Sequence, residues 1–443
     1  MKGIGLGRLG AYGILGLPLA ALGLPMVVYL PPHYAALPAL GTGIVGAIIF
    51  VARLFDMGTD PLIGWASDRF PTRWGRRKPW IVAGTPLLML AAWFLFVPPE
   101  SAGRLYLLFW TLLAYLGWTL IYLPYTTLAA EMSSDYDERS RITAFREGFF
   151  VLGTLAAIAL PVLFAGSQPA GESQSNGLEA IAWFLLISLP VALLLFAVFV
   201  PEPARGRAPR LRWREGLDIL LRNRPFRRLL IGYLLNGAAN GLPAALFLFF
   251  VTQVLGGDQQ IAGAFLALYF LSAVAGLPLW MRIGRGWSKH RLWCATMLFV
   301  CVVFAFVPLL GEGDYWGYAL ICLFGGSVLG IEQAIPASIQ ADVIDEDTAA
   351  GGGGRSGVYF GLWGMATKLA FALSVGVAFP LLEWAGFDAS KGENSDQALT
   401  MLVLLYAVLP VVVKAAVVAM IWHFPLDRER HAQLQSEIGQ RGR

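Results

Sequence analysis

Asp56 and Asp60 interrupt an apolar run that extends from about Leu40 to Ile63. Residues four apart lie on one face of a helix with Cβ atoms about 6 Å apart, so the two carboxylates address a single spot. An ionised carboxylate in hydrocarbon costs about 2.5–3.5 kcal/mol even on the mildest insertion scale. The pair must therefore face a cavity and hold a counter-ion, and Na⁺ or H⁺ meets that need. Thr59 is placed with them as a cation ligand. The chain then turns abruptly basic at Arg69, Arg73, Arg76, Arg77 and Lys78, which marks the cytoplasmic end of the helix because short basic loops stay inside. Asp68, Arg69, Arg76 and Arg77 read as a gating loop whose charges pair across helices in one conformational state.

The elements that carry these residues follow from composition. The chain has 443 residues, 57% apolar and 14% charged, with 50 glycines and a mean hydropathy of +0.63. Soluble globular proteins lie far from such values, and the fold class is an all-α membrane protein. The net charge of +4 sits in alternate loops and reports topology rather than a nucleic-acid partner. Cys294, Cys301 and Cys322 lie in apolar stretches without C-x-x-C spacing, so neither a disulfide framework nor a metal centre is indicated. Lys2 and Arg8 precede Tyr12 to Leu30, a run long enough to cross a bilayer rather than a cleaved leader.

At about twenty apolar residues per crossing, spans are predicted at 10–31, 40–65, 79–97, 105–130, 142–166, 178–200, 229–253, 261–283, 292–311, 315–339, 357–382 and 398–424. The organisation is a six-helix bundle over 1–200, a basic linker over 201–228, a second six-helix bundle over 229–424 and a tail over 425–443. The linker's arginines and the basic loops place both termini in the cytoplasm of a multi-pass inner-membrane protein. Two parallel repeats are expected, since Pro124 to Arg141 and Pro336 to Arg355 are equivalent in position and character. Prolines 18, 25, 61, 124, 161, 243 and 336 are read as points of interruption or unwinding within the helices. The run Gly351 to Gly354 is a linker, because no strand precedes it as a phosphate loop requires.

Three further residues draw notice. Glu332 is an acid deep in the tenth span; it reads as a proton site, a lysine's partner or a structural hydrogen-bond group. Lys414 in the last span is snorkelling or paired, and His33 is interfacial. No H-x-x-H or G-x-S-x-G in suitable context suggests an enzyme.

The stretch DPLIGWASDRFPTRWGRRKPW, Asp60 to Trp80, resembles the G-x-x-x-D-R-x-G-R-R loop of the major facilitator superfamily. The preceding R-x-x-D-x-x-x-D-P, with ADVIDED at Ala341 to Asp347 and YFGLWGMATKLA at Tyr359 to Ala370, resembles the melibiose-permease-like glycoside-pentoside-hexuronide:cation symporter family. The likeness covers nearly the whole chain in layout. It implies that Asp56 and Asp60 bind the cation, that Arg53 and Lys368 are their charge partners, and that Arg146 is linked to substrate. Lys368 stands about 16 Å into the eleventh helix at 1.5 Å per residue, and buried charges persist only when paired.

Sugar-binding members carry acids in the first and fourth helices where this chain has Leu15 and Tyr122. The remaining solute-binding residues are Tyr122, Tyr125, Arg146, Asn236, Asn240, Glu332, Gln333, Tyr359 and Trp363. The resemblance thus implies a monomeric symporter, without other cofactors, that couples Na⁺ or H⁺ to a small organic solute, a sugar or glycoside. Carriage of a lysophospholipid or other amphiphile is the alternative, since animal lysophospholipid carriers are similar in the second and eleventh helices; a proton-coupled antiporter is another.

Overall fold

The computed structural model describes residues 4–37, 40–69, 72, 75–99, 101–132, 136–164, 170–201, 222–349, 356–391 and 393–426. The glycine run at 351–354, most of the linker over 201–228 and the tail beyond Leu426 lie outside the described residues. Among the described residues, twelve helical stretches are long and apolar enough to cross a membrane: Leu6–Val28, Gly41–Gly64, Lys78–Phe96, Arg104–Ala129, Arg141–Phe164, Asn176–Phe199, Arg224–Gln253, Gln259–Ile283, Lys289–Leu309, Tyr315–Asp347, Val358–Trp384 and Asp396–Ile421. Among the described residues the only β-type pairing is the isolated bridge between Thr72 and Gly75 in the basic loop. Gly75 has φ 106° there, a conformation that a side chain would resist. Backbone polar groups cannot go unpaired in hydrocarbon, so a run this apolar has no alternative to the helix.

The helices pack as two units. One holds Met1–Ala208 with Gly257–Gly263 and Phe379–Asn394, the other Pro209–Gly256, Ala264–Ala378 and Ser395–Arg443. In the first unit, the first and fourth spans lock through Tyr12 and Tyr125. Their rings stack at 4.6 Å, and each hydroxyl donates to the other residue's carbonyl at 3.1 Å. The second unit is centred on Phe226, Trp293, Met297, Ile331, Ile335, Tyr359 and Val417.

Most of the prolines do not break helices where the sequence suggests. Pro25, Pro61, Pro124, Pro161, Pro243 and Pro336 all lie inside continuous helices. The first span is interrupted at Tyr29 and at Ile14–Leu15, the latter one turn ahead of Pro18 as expected, and Pro18 itself sits within the first turn of the segment Gly16–Val28. A proline there removes only an N–H that has no helical acceptor. The tenth span bends at Val328, between Tyr315–Ser327 and Leu329–Ala349, not at Pro336. Gly276 and Gly326 let the eighth and tenth spans meet backbone to backbone beside that bend. A Cβ added at Gly276 would lie 2.0 Å from the Ser327 carbonyl oxygen.

Candidate functional site

The second span presents Arg53, Asp56 and Asp60 on one face, and the fourth answers with Tyr115 and Thr119, again four residues apart. Thr119 Oγ1 lies 2.8 Å from Asp56 Oδ1 and 3.0 Å from Asp60 Oδ1. Asp56 is 1% exposed, and Asp60 is half-buried. Arg53 Nη1 stands 3.8 Å from Asp56 Oδ2, while its guanidinium lies over the Tyr115 ring, 4.4 Å from the centroid. The fourth span therefore holds the arginine by its π face and the acids by a hydroxyl.

A hydroxyl carries one hydrogen, so Thr119 can donate to one carboxylate at a time. The two carboxylates thus share one hydroxyl, and where both are ionised they repel each other. A proton or a small hard cation at the three oxygens relieves that repulsion. Carboxylate and hydroxyl oxygens are the donors such cations take. Thr59 is buried, but its hydroxyl donates back to the Asp56 carbonyl at 3.0 Å. Thr119 and Tyr115, not singled out from the sequence, supply the hydroxyl between the two acids and the ring beneath Arg53.

A second buried polar group lies in the other unit. Lys414 Nζ donates to Glu332 Oε1 at 3.0 Å, to Glu332 Oε2 at 2.9 Å and to Asn236 Oδ1 at 2.8 Å, while Asn240 Nδ2 donates to Glu332 Oε2 at 3.0 Å. The Lys414 and Glu332 side chains are each 3% exposed. All three ammonium hydrogens are thus used, and the group is neutral as a whole. Of the three readings open for Glu332, the geometry makes it the lysine's partner. It also brings Asn236 and Asn240 together, one helical turn apart on the seventh span.

The other expected residues are spread out. Tyr122 stacks on Trp118 at 5.4 Å, with Phe150 edge-on at 6.1 Å. Arg146, half-buried, pairs with Glu147 at 2.6 Å. Tyr125 is fully buried in its exchange with Tyr12. Tyr359 is also fully buried, accepting from Asn223 Nδ2 at 2.9 Å, so these two hydroxyls serve helix packing. Trp363 stacks on Tyr233 at 3.8 Å, and Gln333 is exposed. Lys368 is half-buried in the second unit, whereas Arg53, Asp56 and Asp60 lie in the first. In the gating loop, buried Arg77 donates to Ser67 Oγ at 2.7 Å and Arg76 is half-buried. The side chains of Asp68 and Arg69 fall outside the described residues.

Residues 11–428 match the family described as MFS/sugar transport protein. The chain is similar to the sodium-dependent lysophosphatidylcholine symporter 1 of Homo sapiens, at 26% identity over 87% of this chain and 77% of that protein. It is also similar to an uncharacterized symporter of Synechocystis sp., at 23% identity over 93% of both chains. The sphingosine-1-phosphate transporter MFSD2B of Mus musculus is 26% identical over 90% of this chain and 85% of that protein. Among solved structures, the nucleoside transporter NupG aligns with a TM-score of 0.67 at 14% identity, covering 94% of this chain and 99% of that one. That last likeness is one of fold.

Proposed function

The chain belongs to the MFS/sugar transport protein family, and from that membership we propose that it is a cation-coupled symporter of an amphiphilic solute working by alternating access. The observation that carries the coupling is the Thr119 hydroxyl set between Asp56 and Asp60 with one hydrogen for two carboxylates. With no cation bound, two acids share the one arginine Arg53 in an apolar bundle, and closing the protein around the remaining negative charge is costly. With Na⁺ or H⁺ bound, that charge is offset, and the conformations that carry solute across become accessible. Lys368 and Arg53 are the proposed charge partners, and the basic loops support cytoplasmic termini.

The solute reading is supported by Leu15 and Tyr122 at the places where sugar-binding members carry acids. Leu15 is fully buried and apolar, and Tyr122 is stacked between aromatic rings. Relatives named for lysophosphatidylcholine and sphingosine 1-phosphate transport support it further. A sugar or glycoside has one observation in its favour: the Tyr233–Trp363 stack, whose tyrosine hydroxyl is 3.0 Å from Thr367 Oγ1, offers a ring platform with a polar edge.

The test is uptake into proteoliposomes under imposed Na⁺ or H⁺ gradients, with labelled lysophosphatidylcholine and a panel of glycosides, for the wild type and Asp60→Asn. Uphill, gradient-driven lysolipid uptake that falls by about tenfold or more in the variant is expected. Gradient-driven uptake of glycosides alone would move the solute to the sugar reading. Full cation stimulation in Asp60→Asn would remove the cation site, and solute export against cation influx would make the protein an antiporter.

A further inference from the structure

A crevice of about 540 Å³ opens in the first unit between the end of the fifth span and the start of the sixth. Its shape follows from residue size. Gly177 lets the sixth span close on Pro161 so tightly that an added Cβ would lie 2.9 Å from the proline's own. One turn further on, Ala180 is again small, while Leu160, Phe164 and Phe184 stand as apolar walls. A crossing that is tight at the glycine and bulky beyond it leaves a wedge of space. Drug-sized and lipid-sized ligands occupy cavities of about 300–1,000 Å³.

The polar side of the wedge is Asn176, Glu179 and Trp183. Trp183 Nε1 donates to Glu179 Oε1 at 3.2 Å, and the indole meets Trp93 edge to face at 5.0 Å. Carboxylate and indole are thereby held side by side, yet Trp183 remains 51% exposed. Among the described residues that line the crevice there is no lysine or arginine, and from Ile181 to Phe199 the span carries no charged residue. These residues thus offer the Glu179 carboxylate, one aromatic face and an apolar channel. An anionic headgroup is repelled by such a site; an ammonium group is attracted by both the carboxylate and the ring.

We propose that this crevice binds an ammonium-bearing amphiphile, with the cationic headgroup against the paired Glu179 carboxylate and Trp183 ring and the acyl chain along Leu160, Phe164 and Phe184. It would hold the solute at the lipid-facing side of the unit, apart from the cation cluster. Its role in transport rests on the amphiphile reading above, but its occupancy does not.

Purified full-length protein in nanodiscs would be irradiated with a lysophosphatidylcholine carrying a diazirine near the end of its acyl chain, and the labelled peptides mapped by mass spectrometry. Adducts are expected in peptides containing 160–164 and 180–184. Unlabelled lysophosphatidylcholine should compete at least about tenfold better than lysophosphatidic acid of the same chain length, which has the phosphate and tail but no ammonium. Glu179→Gln should erase that preference while leaving the melting temperature unchanged, and Phe164→Ala should weaken labelling by the tail whatever the competitor's headgroup. Asp60→Asn should label as the wild type does, so that a failure of coupled transport is read separately from a failure of this site. Equal competition by both lipids, or an unaltered preference in Glu179→Gln, would mean boundary lipid only and overturn the proposal.

Discussion

Thr119 decides how the two acids of the second span share their surroundings, because its hydroxyl reaches both Asp56 and Asp60 within 3.0 Å. Thr119→Val keeps the shape and removes the oxygen, so the fold should survive while the proposed cation site loses a ligand. The expected result is an apparent cation affinity about tenfold weaker, a differential of about 1.4 kcal/mol, read from the cation dependence of uptake with solute held saturating. An unchanged affinity would leave Thr119 a packing residue. The Lys414–Glu332 pair calls for a different experiment, because its members saturate each other. Removing one partner of a buried pair leaves an uncompensated charge and costs about 3–5 kcal/mol, whereas replacing both by apolar residues is often neutral. Lys414→Met should therefore lower the melting temperature markedly, and Lys414→Met with Glu332→Leu should restore most of it. A double variant as unstable as the single would show that the asparagines, left without their partners, matter more than the charges.

Much of this is legible from spacing. Asp56 with Asp60 is a polar i, i+4 pair in an apolar helix, which reads as a site. Tyr115 with Thr119 and Asn236 with Asn240 obey the same rule, but only the asparagines stand out, since tyrosine and threonine are unremarkable in a membrane helix until a charge is known to face them. Lys414 is legible as snorkelling or paired, but whether it pairs and with which acid depends on the packing of the seventh, tenth and last spans, which one helix's periodicity does not contain.

At the level of elements, span positions follow from hydropathy because every backbone group in hydrocarbon must be paired within the helix. Apart from the one ahead of Pro18, the breaks do not fall at the prolines singled out, since a helix loses little where neighbours cover the freed carbonyl. The short helix Leu30–Ala35 beyond the first span shows what such a break does. Tyr34 donates to the Leu95 carbonyl at 3.0 Å and fixes the segment on the third span, and the adjacent His33 has its Nε2 buried without a hydrogen-bond partner. Burial lowers the His33 pKa from 6.5 to about 4. A histidine held neutral in the folded state binds fewer protons there than when unfolded, so stability is complete above about pH 6.5 and is lost as the pH falls from 6.5 toward 4. The loss is at most about 3 kcal/mol for a shift of this size. Melting temperatures of the wild type should fall over that interval, and those of His33→Phe should fall less; parallel curves would assign the acid sensitivity elsewhere.

For the whole molecule, the proposed direction across the membrane rests on the alternation of loop charge. Arg285 lies between the eighth and ninth spans and Lys289, His290 and Arg291 open the ninth, whereas the turn between the ninth and tenth carries Glu312 and Asp314. Short loops rich in lysine and arginine are retained on the cytoplasmic side and acidic ones are not constrained, so consecutive loops of this kind must lie on opposite faces, and the proposed topology puts Glu312 outside. The three native cysteines are buried, which leaves the surface clear for single reporters at exposed positions. In intact cells a membrane-impermeant maleimide should label Glu312→Cys and leave Arg285→Cys unmodified until the membrane is permeabilised. The reverse pattern would invert the topology and place the basic loop at 72–78, with buried Arg77 bonded to Ser67, on the face where solute enters. The gating part proposed for that loop would then belong to the opposite step of the transport cycle.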